Sequence, residues 1–184
     1  MCCLGPSLAG NPTQYVMEKC FHQAGWDRRF LSLQVAEEDL SIAIDGMRAM
    51  DFCGAVITGP FQTKATQYLA ELTPDAKEIG AVNCLHRASN RHWSGANTVG
   101  TGFLNVLKNV TDPLGCKGLL LHTGPTARAI ALALARESVA AITVCGTDED
   151  AGFELVEMLQ GVSDTSANFI VWEGDRPVDD DVQL

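Results

Sequence analysis

The chain has 184 residues, 46% hydrophobic and 20% charged, which is enough apolar material for one good core or two small ones and excludes disorder over most of its length. A formal net charge of −10 excludes general affinity for nucleic acid, which needs a basic face, and disfavours anionic membrane surfaces. Seven cysteines at 2, 3, 20, 53, 84, 116 and 145 form no CxxC and no metal-spaced cluster with histidine, so reduced, mostly buried thiols are expected and no metal site.

Cys2-Cys3-Leu4 reads as a short apolar strand at a sheet edge, and Gly5 to Thr13, rich in Gly and Pro, as a loop. A helix follows from Gln14 to Gln23, closed by Gly25. Phe30 to Val35 alternates apolar and polar residues as a half-buried strand does. Leu40, Ile44, Met47 and Met50 then recur at helical spacing, before a short apolar strand over Gly54 to Ile57 that Pro60 ends. Thr63 to Leu72 reads as a helix with Ala65, Leu69 and Leu72 on one face. Thr73 is placed to cap a short helix that starts at Pro74, where the missing N–H costs nothing. Val82 to Leu85 and Arg91 to Ser94 form two strands around a turn at Ser89-Asn90, and a helix runs on from Gly100.

Asp112-Pro113-Leu114-Gly115 is the natural boundary, because the pattern changes beyond it. Gly118 to Leu121, Ala141 to Cys145 and Asn168 to Trp172 are continuous apolar strands, separated by helices over Thr126 to Glu137 and Glu149 to Leu159. Strand, helix, strand, helix, strand is one half of a doubly wound parallel fold. Three parallel strands leave an apolar edge unpaired, so a second copy or another partner is expected to cover it. From Glu173 the chain turns acidic, with Asp175 and Asp179 to Asp181, and reads as a solvated tail. No charged-then-apolar leader precedes residue 20, and no run reaches the roughly 20 apolar residues of a spanning helix, so a cytoplasmic location and no membrane partner are expected.

Three blocks carry the functional signal: Gly54-Ala-Val-Ile-Thr-Gly-Pro-Phe-Gln62, Gly80-Ala-Val-Asn83 and Gly95-Ala-Asn-Thr-Val-Gly-Thr-Gly102. In this order and at these separations they resemble the substrate domain of the shikimate dehydrogenase family, whose members interconvert 3-dehydroshikimate and shikimate with NADP. The resemblance implies an α/β fold, with a substrate-binding domain over residues 1–112, a truncated Rossmann-like βαβαβ unit over 116–174 and an acidic tail over 175–184. The family's cofactor domain continues through further elements beyond the point where this chain stops.

The family pairs a Lys in the first block with an Asp in the third to handle the proton at the reacting oxygen. Those two positions hold Gln62 and Val99 here. Hydride addition to a ketone develops charge on oxygen, which a proton donor relieves; an amide cannot deliver a proton at neutral pH, and valine cannot even hydrogen-bond. Losing one acid–base group costs roughly 10²- to 10⁴-fold in rate, so an impaired enzyme is expected. Lys64 is two residues along, an advance of ~200° on a helix, and leaves on nearly the opposite face. His22, His86, His92 and His122 have no carboxylate or nucleophile at a meaningful spacing, and ordinary core or surface roles are expected of them.

Substrate-binding positions are better kept. The resemblance places Thr58, Asn83 and Asn97 at contacts to a hydroxylated ring, and Asn11 and Thr13 where the family's Ser-x-Ser grips a carboxylate. It thus implies a small shikimate-like carboxylate as ligand. Thr and Asn also serve simply to satisfy turn backbones. The glycine loop that receives pyrophosphate at a helix N-terminus becomes His122-Thr-Gly-Pro-Thr-Ala-Arg128, leaving Gly124, Thr126 and Ala127 as the cofactor-binding positions. Pro125 removes an N–H there and His122 adds bulk. After the second strand, Asp148, Glu149 and Asp150 would repel a 2′-phosphate, so NADP is implied by resemblance and opposed by the residues. Two function classes remain: an impaired oxidoreductase of this family that still binds its ligand, and a non-enzymatic interaction or scaffold module that retains the fold.

Overall fold

The structure, a computed structural model, describes residues 1–89, 91–175, 178 and 181–184. Two compact units divide the chain, Met1–Asn97 and Thr98–Leu184.

The first unit is built on a six-stranded mixed sheet. Its strands are β1 (Cys2–Gly5), β2 (Leu31–Gln34), β3 (Gly54–Ile57), β4 (Glu71–Leu72), β5 (Cys84–Arg87) and β6 (Trp93–Ala96), in the order β2-β1-β3-β5-β6-β4. β1 runs parallel to both β2 and β3, whereas β5 is antiparallel to β3 and β6. β1 is therefore interior, not the edge strand expected from its apolar sequence; all four of its residues are buried. Length and hydrophobicity identify a strand, but the neighbours on both sides arrive from far along the chain.

Helix α1 (Thr13–Gln23) buries Phe21 against Cys3 and Phe30, and Gly25, at φ +68°, supplies the left-handed residue that closes it. Helix α2 (Leu40–Ala49) turns Leu40, Ile44 and Met47 onto the sheet, where they join Leu4, Ile57, Phe61, Leu85 and Trp93 in the main core. The helix expected over 63–72 does not form. A four-residue α3 (Phe61–Lys64) passes into a 3-10 turn over Ala65–Tyr68, and Leu69 is already extended. Ala70 then donates its N–H to Trp93, and β4 pairs in parallel with β6. Ala65, Leu69 and Leu72 do face the core as their spacing suggested, but sheet pairing wins over helix continuation after one turn. Helix α4 (Pro74–Ile79) begins with Thr73 accepting the Ala76 N–H and ends at Gly80 with φ +72°. Of the expected turn at Ser89-Asn90, Asn90 lies outside the described residues.

The second unit is a three-stranded parallel sheet, β7 (Lys117–Leu121), β8 (Ala141–Gly146) and β9 (Ser166–Val171), in that order. Helices α5 (Val99–Leu107), α6 (Pro125–Arg136) and α7 (Glu149–Val162) accompany it. The division falls at Asn97/Thr98, ahead of the Asp112–Gly115 turn, because α5 belongs here by packing. Phe103, Leu104 and Leu107 lie against the cluster of Ala127, Ala131, Leu134 and Ala135. Gly100 makes the approach of α5 feasible, since a Cβ there would collide with the Ala129 carbonyl oxygen and come within 2.8 Å of the Ala133 Cβ.

The acidic tail is not wholly solvated. Lys117 donates its N–H to the Gln183 side chain at 2.9 Å, Gln183 returns its own N–H to the Lys117 carbonyl at 2.9 Å, and Leu119 donates to Leu184 at 3.0 Å. Leu184 packs on the second core, and Lys117 pairs with Asp181. The β7 edge is thus met by the chain's own residues over Lys117–Leu119, where a partner was expected. Asp179 and Asp180 lie outside the described residues.

Candidate functional site

Strand directions bring distant residues of the first unit to one rim of its sheet. β1 and β3 are parallel, so Gly5 and Thr58 leave the same end; β5 is antiparallel to β3, so Asn83 precedes its strand at that end, and Asn97 follows β6 there. Backbone hydrogen bonds lock the rim together: Thr58 N–H to Leu4 carbonyl at 3.0 Å, Ile57 to Asn83 at 2.9 Å and Asn83 to Ala96 at 3.0 Å.

Gln62 is bound into the same rim. Its carbonyl accepts the Val82 N–H at 2.9 Å, and its side-chain Nε2 donates to the Ile57 carbonyl at 3.2 Å. Gln62 is 8% exposed, and its Oε1 is buried with no protein partner; Thr58 Oγ1 is buried and likewise unpartnered. Buried polar atoms without partners are rare in folded proteins, because each forfeits its solvation. These two lie four residues apart, joined by a turn in which Phe61 N–H meets Thr58 carbonyl at 3.0 Å. Gly5 closes over the hydroxyl, for a Cβ at that position would run into Thr58 Oγ1 and approach Leu8 at 2.8 Å. By sequence Gly5 is only the start of a loop, because no pattern along the chain shows which strand ends meet.

The other candidate residues fall differently. Asn97 is buried and donates Nδ2 to the Ala81 carbonyl at 3.1 Å, so part of its amide is structural. Asn11 uses its Oδ1 to accept the Thr13 N–H at 2.9 Å, an Asx turn just ahead of α1. Glu18 turns to the Phe30 backbone, accepting its N–H at 3.3 Å. Lys64 is held by Glu37 in an exposed ion pair. Val99 is the first residue of α5 and belongs to the second unit.

In the second unit, the loop that opens α6 is occupied by its own histidine. Gly124 donates its N–H to His122 Nδ1 at 2.7 Å, and a Cβ on Gly124 would come within 2.8 Å of the imidazole. Pro125 has no N–H to offer. Thr126 is exposed and Ala127 buried on the helix. After β8, Asp148 spends its carboxylate capping α7 by accepting the Ala151 N–H at 3.0 Å, with Glu149 and Asp150 in the first turn. A dinucleotide diphosphate needs free N–H groups and glycine-level approach, and these residues do not fit it. An open cavity of about 590 Å³ in this unit lies at the opposite ends of α6 and α7, lined by Arg136, Ser138, Ser163, Asp164 and Thr165, and does not touch the loop.

These features define a two-unit α/β protein with a mixed-sheet unit and a parallel βαβαβ unit of Rossmann type. Residues 9–85 match the family model for the shikimate dehydrogenase substrate binding domain. A shikimate dehydrogenase (NADP(+)) of Carboxydothermus hydrogenoformans is 39% identical over 177 residues, covering 93% of this chain and 62% of that protein. In three dimensions, ligand-free 5-ketofructose reductase of Gluconobacter sp. strain CHM43 superposes with a TM-score of 0.87 at 30% identity, covering 98% of this chain and 65% of that one. Shikimate 5-dehydrogenase of Listeria monocytogenes, in complex with shikimate and NAD, gives 0.86 at 25% identity, covering 93% and 60%. The chain belongs to the shikimate dehydrogenase family. It spans less than two thirds of the length of these relatives.

Proposed function

We propose that this protein is a catalytically impaired member of the family that still binds a small polyhydroxylated ligand, shikimate-like, at the rim formed by Thr58, Gln62, Asn83 and Asn97. The observation that supports it is the pair of buried, unpartnered atoms Thr58 Oγ1 and Gln62 Oε1. The first unit acts as the substrate-binding part, and the second corresponds to the dinucleotide-binding part.

Impairment follows from the residues. Gln62 stands where the family has its proton-donating Lys, and Val99 where it has the Asp; neither side chain ionises near neutral pH. NADP is the cofactor in the names of the curated relatives; its reduced form would supply hydride when bound, and Gly124, Thr126 and Ala127 are the positions that would receive it. His122 and Pro125 work against that binding.

Thermal denaturation of the protein with shikimate or quinate at millimolar concentration tests ligand binding, with a rise in Tm expected. Reduction of 3-dehydroshikimate by NADPH is expected to stay at background; turnover well above it, abolished by changing Gln62, would refute the impairment. A second reading, a non-enzymatic scaffold that keeps the fold, is favoured by the joint loss of the acid–base pair and the open phosphate loop. It predicts no thermal response to either ligand.

A further inference from the structure

The polarity of Gln62 carries a statement about which ligand the rim prefers, and it rests on the ligand-binding reading above. We infer that Gln62 makes this site selective for an alcohol over the corresponding ketone: the ligand group seated against it is a hydroxyl that donates its hydrogen to Oε1.

The amide orientation follows from its neighbour. Nε2 donates to the Ile57 carbonyl at 3.2 Å; the opposite orientation would set two carbonyl oxygens against each other. The remaining pole is therefore Oε1, buried and unpartnered, in a side chain that is 8% exposed. A carbonyl oxygen accepts hydrogen bonds and never donates them. A ketone or a carboxylate placed there is also acceptor-only, so its oxygen would lose its water while Oε1 stayed unpaired. A hydroxyl satisfies Oε1 and removes the penalty. Thr58 Oγ1 donates or accepts equally well, so it adds affinity for either oxidation state without reversing the preference. A lysine at position 62 would present three donors and no acceptor, which is the polarity that suits a ketone. The glutamine thus changes what the site holds as well as what it can catalyse.

The test is isothermal titration calorimetry of the full chain with two alcohol/ketone pairs, shikimate with 3-dehydroshikimate and fructose with 5-ketofructose. The same titrations are run on Gln62→Lys and Gln62→Leu, with folding of each variant checked by circular dichroism. The wild-type protein is expected to bind the alcohol of at least one pair about tenfold more tightly than its ketone, the scale of one buried hydrogen-bonding group left unpaired. Gln62→Leu is expected to level the pair and Gln62→Lys to reverse it. Binding in which the ketone equals or exceeds the alcohol, or a preference unchanged in Gln62→Leu, overturns the inference alone. Absence of binding by all four compounds at millimolar concentration overturns the ligand-binding reading and the inference with it.

Discussion

The backbone N–H of Gly124 donates to Nδ1 of His122 two residues earlier, at 2.7 Å, so the turn leading into α6 closes on a side chain of its own. In a dinucleotide site that N–H is the group offered to phosphate at the positive end of the helix. Here it is spent on the imidazole, which lies close beside Gly124.

Replacing His122 and Pro125 together by glycine restores both the N–H and the space. NADPH affinity, followed by the fluorescence of the reduced nicotinamide, is expected to rise about tenfold or more, since a hydrogen bond to a charged group is worth roughly 1.5–3 kcal/mol. If affinity does not change, the loop is not what limits dinucleotide binding.

Gly100→Ala places a methyl group against the Ala129 carbonyl oxygen and Ala133. Overpacking of this kind costs about 1–3 kcal/mol, so a clear drop in Tm is expected. The neighbouring Gly102 has open space at its Cβ position. Gly102→Ala, as a control in the same helix, should leave the transition in place or raise it slightly. Equal effects at the two positions would contradict the close packing of α5 on α6.

Burial inside the central strand β1 pushes the Cys2 thiol up from 9.0 to about 12, against a smaller downward pull from the chain's amino terminus. Unfolded, the same thiol ionises from 9.0, so the unfolded chain sheds its proton first as the pH climbs. The contribution of this group is complete below 9.0 and is lost progressively toward about 12. Urea midpoints measured across that window should fall more steeply for the wild type than for Cys2→Ala, by up to about 1.4 kcal/mol per pH unit. Parallel slopes would rule the effect out.

Removing residues 181–184 strips the β7 edge of the backbone bonds from Gln183 and Leu184 and takes Leu184 out of the core. A lower Tm is expected, together with concentration-dependent association in light scattering, because an open parallel edge is a template for another strand. A truncated chain that stays monomeric at all concentrations would show that the edge has no such tendency.

Much of the architecture was legible before any coordinates. The Thr73 cap with Pro74 behind it, the β3 strand and the β7-α6-β8-α7-β9 succession depend on residues close together in the chain, where local backbone chemistry decides. The motif frame around Thr58, Gln62, Asn83 and Asn97 was also visible, because each block is contiguous.

What sequence could not settle is long-range pairing. Ala65, Leu69 and Leu72 have helical spacing, yet β4 forms because β6 offers hydrogen bonds that the local chain does not encode. β1 became interior for the same reason, and α5 joined the second unit because Gly100 meets Ala129 across a helix pair. The sequence by itself determined that Gln62 and Val99 carry no side-chain group that ionises near neutral pH. Only tertiary structure decided which way the Gln62 amide faces and that Thr58 Oγ1 is enclosed by Gly5. Both depend on strand ends that meet across dozens of residues, and a carbonyl such as that of Ile57 selects an amide orientation only once the fold has set it there.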